Sequence, residues 1–80
     1  MTLHITAFGI AREILGARVL PFEAPEAITA GELKRQLLER FPAFGNLSSL
    51  YIAVNAEYGA DDTPLHAQDE IVLIPPVSGG

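Results

Sequence analysis

The sequence predicts an α+β fold, a mixed sheet with one main helix packed across one face and the first and last strands parallel and central. Three observations lead there. Apolar and polar residues alternate from Thr2 to Phe8, a capped amphipathic helix spans Thr29 to Phe41, and an unbroken aliphatic run occupies Ile71–Ile74. A single amphipathic helix and several strands close most simply as a helix lying on a sheet.

In the first segment Leu3, Ile5 and Ala7 fall on one face, and Thr2, His4, Thr6 and Phe8 on the other, the two-residue period of a half-buried strand. Ile10 and Ile14 are four apart, enough for one or two helical turns closed by Gly16. Arg18 to Glu23 reads as a second short strand with Leu20 and Phe22 on one side. Pro21 has no N–H for a ladder and places this strand at a sheet edge.

Thr29-Ala30-Gly31-Glu32 fits a capping box, in which Thr29 binds the Glu32 N–H and the Glu32 side chain reaches back. Ile28 and Leu33 suit the accompanying hydrophobic staple. Leu33, Leu37 and Phe41 form an apolar stripe that Ala30 and Leu38 widen, with Lys34, Arg35, Glu39 and Arg40 on the wetter surface. Pro42 ends the helix at about Phe41. A loop over 43–49, anchored by Phe44 and Leu47, leads to a strand over 50–55 with Ile52 and Val54 facing one way and Tyr51 and Ala53 the other. Residues 57–64 read as a turn region, Leu65 as an inward anchor and 66–69 as a second turn. The run Ile71–Ile74 suits a central strand covered on both faces, or one whose second face meets a partner. This order fits the β-grasp arrangement, with a domain over 1–74 and a tail over 75–80.

Composition narrows the function. Eighty residues make one small domain, and 49% apolar content supplies a core without staples. There is no cysteine, which removes disulfides, thiolate metal sites and cysteine nucleophiles from the chain. The net charge is −5, and the five cations Arg12, Arg18, Lys34, Arg35 and Arg40 are spread along the sequence. Nucleic-acid binding is not expected from so dispersed a set. No apolar stretch approaches the ~20 residues of a membrane span, and no membrane association is expected; the expected location is the cytoplasm.

No catalytic constellation can be assembled. His4 and His66 stand alone, Asp61-Asp62 and Asp69-Glu70 read as acidic turns, and Arg12-Glu13 as a surface pair. Gly9, Gly16 and Gly31 lack a phosphate-cradling spacing, and no bound metal or cofactor is expected. The remaining unusual group is the carboxylate of Gly80. It follows Pro75-Pro76-Val77-Ser78-Gly79, a segment stiffened at its base and unhindered at its tip, with a reach of roughly 20 Å. A carboxylate does acyl chemistry only after activation, for example as an acyl-adenylate made with ATP by another protein. A sulfur nucleophile then yields a thiocarboxylate, and an amine an amide. If the first and last strands are neighbours, Phe8, Val72 and Ile74 form an apolar patch on the sheet face away from the helix. It either docks a protein partner or lies beneath a loop.

The ending Ile74-Pro75-Pro76-Val77-Ser78-Gly79-Gly80 resembles the F-P-P-V-[ST]-G-G ending of the molybdopterin synthase small subunits, a family of ubiquitin-like sulfur carriers. The Arg12-Glu13-Ile14-Leu15-Gly16 segment, the Ala53-Val54-Asn55 strand end, Pro64-Leu65 and Asp69-Glu70-Ile71 match the same family. One position departs, because the residue before the prolines is often aromatic and is Ile74 here. The resemblance implies that an ATP-dependent activating enzyme adenylates Gly80 and that a sulfur transfer leaves a Gly80 thiocarboxylate. It also implies that residues 75–80 enter the active site of a large subunit, in an assembly of two small and two large subunits. There the tail gives sulfur to cyclic pyranopterin monophosphate in molybdenum cofactor biosynthesis. The chain itself is then a sulfur-donating subunit, with the active site on its partner. Three alternatives stand beside this reading: a thiamin-type sulfur carrier, a ubiquitin-like modifier that forms isopeptide bonds, and an interaction module with an inert tail.

Overall fold

The computed structural model describes residues 1–76. Thr2–Ala7 forms β1, and its alternation is realised as expected, with Leu3, Ile5 and Ala7 fully buried. Ile71–Ile74 forms β5, which lies parallel to β1 through the pairs Ile5–Ile71, Thr6–Val72 and Ala7–Leu73. On its other side β5 is antiparallel to β3, Tyr51–Val54. Val19–Glu23 (β2) pairs antiparallel with β1 at one edge, where Pro21 lies, and Glu57–Tyr58 (β4) pairs with β3 at the other. The sheet order is β2-β1-β5-β3-β4, so the first and last strands are parallel and central.

Between β1 and β2, Gly9–Leu15 forms the short helix α1, closed by Gly16 in the left-handed conformation that glycine tolerates best. The main helix, α2, spans Ala30–Arg40 and buries Ala30, Leu33 and Leu37. Thr29 caps it by accepting the Glu32 N–H at 3.3 Å, while its hydroxyl donates to the Glu32 carboxylate at 3.0 Å. The box is thus closed between side chains rather than through the Thr29 backbone. Ile28 and Leu33 are both buried, as a staple requires. Leu38 does not widen the stripe. It sits about 100° around the helix from Leu37 and is exposed on the side of Lys34 and Arg35.

Pro42 ends α2 and starts a 3-10 turn over Pro42–Asn46, a stretch the sequence pattern reads only as loop. The turn inserts Phe44 into the core, edge-on to Phe41 at 6.1 Å between ring centres. β4 is likewise absent from the expected elements. It arises because Asn55 and Ala56 both take positive φ (52° and 71°), as a tight two-residue hairpin turn demands. Asn-Gly is the usual signal for such a turn, and alanine at the second position conceals it.

The Ala30 and Leu65 N–H groups donate to the Thr63 and Ile28 carbonyls and hold the long connection from β4 to β5, and two further tethers secure it. Gly31 donates its N–H to the Asp61 carbonyl at 2.9 Å, and a Cβ on Gly31 would stand 2.9 Å from that same oxygen. Glycine is required here for close approach, not for an unusual φ. At the far end Asp69 accepts from the Asn55 side-chain amide at 3.0 Å and from the His66 N–H at 2.8 Å, while Asn55 accepts from the Glu70 N–H at 2.9 Å. The Asn55 amide, then the His66 N–H, hold the Asp69 carboxyl below its ordinary pKa.

Gly31→Ala is expected to destabilise the fold by about 1–3 kcal/mol, because overpacking against the loop backbone outweighs the gain in helix propensity. Gly45→Ala, where no atom lies within 4 Å of the added Cβ, should change stability by less than about 0.5 kcal/mol in the same urea titration. Because the folded-state pKa of Asp69 is lowered, its contribution is complete above the unfolded carboxylate value of about 3.9 and fades as pH falls through the lower folded value. Asp69→Asn should therefore flatten the acid limb of stability against pH below about 4. An acid limb as steep as that of the unaltered chain would show that the carboxylate is not the group responsible.

Candidate functional site

The pairing registers determine what the sheet presents away from α2. One row crosses all five strands as Val19, Thr6, Val72, Ala53 and Tyr58. A second row pairs Ile74 with Tyr51, and Phe8 lies one residue beyond the Ala7–Leu73 pair, as Ile74 does. The structure therefore brings Phe8, Val72 and Ile74 to one face and one end of the sheet. Val72 and Ile74 are half-buried and Phe8 is 51% exposed.

Phe8 is exposed at the cost of a local preference. It is the N-cap of α1, in an extended conformation (φ −130°, ψ 160°) with no side-chain cap, a position that favours Ser, Thr, Asp or Asn. Its carbonyl accepts the Ala11 and Arg12 N–H groups at 3.1 and 3.3 Å. An exposed phenyl ring where a capping hydroxyl would stabilise the helix is the kind of local inconsistency that accompanies a binding surface.

The face is wider than the three residues singled out from the sequence. Tyr51 and Tyr58 are 54% and 71% exposed, and their rings meet edge-on at 5.6 Å and 67°. Val19, 46% exposed, extends the apolar surface onto β2. Tyr51 carried a usable signal, since it alternates with the buried Ile52. Tyr58 carried none, because its two-residue strand lies in an apparent turn. Aromatic side chains that expose an apolar body and a polar tip suit protein interfaces.

Pro75 and Pro76 are half-buried and continue from Ile74 at the same end of the face. Val77, Ser78, Gly79 and Gly80, assigned by sequence to the partner's active site, lie outside the described residues. The described body offers little competing chemistry. It contains no buried polar or charged side chain and no group of three metal-ligating residues. His4 is exposed on the outer face opposite Pro21, and His66 Nδ1 stands 3.4 Å from the structural Asp69.

Comparison with known proteins supplies the family. The ThiS family matches residues 5–80. A molybdopterin synthase sulfur carrier subunit of Arabidopsis thaliana is 32% identical, over 98% of this chain and 82% of its own length. One of Caenorhabditis briggsae is 34% identical, over 100% and 99%. Among solved structures, small archaeal modifier protein 1 of Haloferax volcanii superimposes with a TM-score of 0.81 at 25% identity over the whole of both chains. A complex of subunits 1 and 2 of the molybdopterin-converting factor of Helicobacter pylori gives a TM-score of 0.66 at 30% identity, again over both full chains. The chain has the ubiquitin-like fold of these neighbours and belongs to the ThiS family, among the sulfur carrier subunits of molybdopterin synthase.

Proposed function

We propose that this chain carries sulfur as a thiocarboxylate on Gly80 and delivers it within a molybdopterin synthase. The observation that carries the reading is the two-row apolar face ending at Ile74, beside which the Pro75-Pro76 lead-in begins. In the proposed cycle, a Gly80 carboxylate oxygen attacks the α-phosphorus of ATP on an activating enzyme and pyrophosphate leaves. A sulfur nucleophile then attacks the acyl carbon, and AMP departs with the bonding pair. The thiocarboxylate passes its sulfur to cyclic pyranopterin monophosphate in the active site of a large subunit. The relatives named as sulfur carrier subunits and the two-subunit Helicobacter complex support this assignment. The two-plus-two assembly, the cytoplasmic location and the use of ATP by the activating enzyme belong to the same proposal.

A second reading, conjugation of Gly80 to lysines, is favoured by the likeness to small archaeal modifier protein 1. It predicts isopeptide-linked products in cell extract, which the carrier reading does not require.

Intact-mass measurement after incubation with activating enzyme, ATP and a sulfur source should show Gly80 gaining the oxygen-to-sulfur mass change. Absence of that change under conditions that thiolate a known carrier would end the carrier reading. Deletion of Gly80 should abolish the mass change and leave the urea midpoint where it was. Tyr58→Ala should weaken binding to the large subunit by about 1–2 kcal/mol, as truncation of an interface aromatic does. The same change should alter folding stability by less than about 0.5 kcal/mol, since the ring is largely exposed. Unaltered affinity would place Tyr58 outside the interface.

A further inference from the structure

Two of the five cations stand together at one end of the sheet, while Arg35 and Arg40 of α2 line a cleft with Phe22 and Glu23 at the other. At the end where β5 stops stand Arg12, Glu13 and Arg18. At the opposite end, near the start of β5 and the end of β2, stand Glu23, Glu26, Glu57, Asp69 and Glu70. Arg12 and Arg18 line one cleft with Gly9, Glu13, Gly16 and Ala17. The cleft is shaped by Gly9 and Gly16, whose φ of 55° and 75° fold α1 back beside β1. The carbonyl of Arg18 accepts the Ala7 N–H at 2.8 Å, which ties it to the top of the central strand.

Neither guanidinium is neutralised nearby. Among the described residues the ion pairs join Met1 to Glu26, Arg35 to Glu39 and His66 to Asp69, so Arg12 and Arg18 take part in none, not even with Glu13 in the same cleft. Both are exposed, and both adjoin the apolar face. Arg18 immediately precedes Val19, and the Arg12 N–H reaches the Phe8 carbonyl. Unpaired cations at the margin of an apolar patch are the usual composition of an interface rim.

We propose that Arg12 and Arg18 form a cationic rim of the docking face and pair with carboxylates of the partner beside the mouth that residues 75–80 enter. The occupant is an acidic protein surface. A partner seated on Phe8 and Val19 brings its own side chains against this cleft. Charges at this rim also raise the rate of encounter with an acidic surface. This inference rests on the proposed sulfur-carrier reading.

The test is stopped-flow association of the full chain with the molybdopterin synthase large subunit of the same organism, over a series of salt concentrations. Arg12→Gln combined with Arg18→Gln should slow association about tenfold at low salt, and the difference should vanish near 1 M salt, where the Debye length is about 3 Å. Glu13→Gln should speed association, and Arg35→Gln on α2 should leave it unchanged. A double variant with the wild-type rate and salt slope overturns the inference alone, since the tail and apolar face would still dock. If the unaltered chain does not bind the large subunit at all, the sulfur-carrier reading falls, and the rim with it.

Discussion

The parallel pairing of β1 with β5 is the constraint on which the remaining architecture depends. These strands stand far apart in sequence, and their contact brings Ile5 and Ala7 beside Ile71 and Leu73 in the buried layer beneath α2. The same register places Thr6 beside Val72 on the opposite face and carries Phe8 level with Ile74. Parallel strands require a crossover, and α2 is the element in that crossover with an apolar stripe long enough to cover the sheet. Burial of the core and assembly of the outer apolar face are therefore two results of one pairing.

The division of labour between the faces explains the run Ile71–Ile74. Ile71 and Leu73 point into the core, while Val72 and Ile74 look outward among Tyr51, Ala53 and Tyr58. Phe8, Val19, Tyr51 and Tyr58 stand exposed on that second side. The interior meanwhile holds no polar side chain.

Much of this was written plainly in the sequence. Thr29 and Glu32 marked the start of α2, Pro42 its end, Pro21 an edge strand, and the alternation from Thr2 to Ala7 the inward face of β1. These signals are local, and each has one dominant physical meaning. What escaped depended on partners distant in sequence. β4 is only two residues long and owes its existence to β3. Leu38 looks apolar in any helical pattern, yet the sheet covers only the side of α2 that carries Leu33 and Leu37. Phe8, Val72 and Ile74 were recognised because strand alternation left them stranded, whereas Tyr58 required the hairpin to be seen. That Arg12 and Arg18 share one cleft emerges only when the fold is known.

The two sheet edges have a further consequence. β2 carries Pro21, and β4 spans only Glu57 and Tyr58, so neither margin offers a long ladder for an added strand. Side chains on the flat face are left as the broader apolar surface. Strand addition would commit a chain to one companion through many backbone hydrogen bonds, whereas a patch of rings and aliphatic groups can let go. In the proposed transfer, margins that resist strand addition suit a carrier that has to leave the protein it docks on.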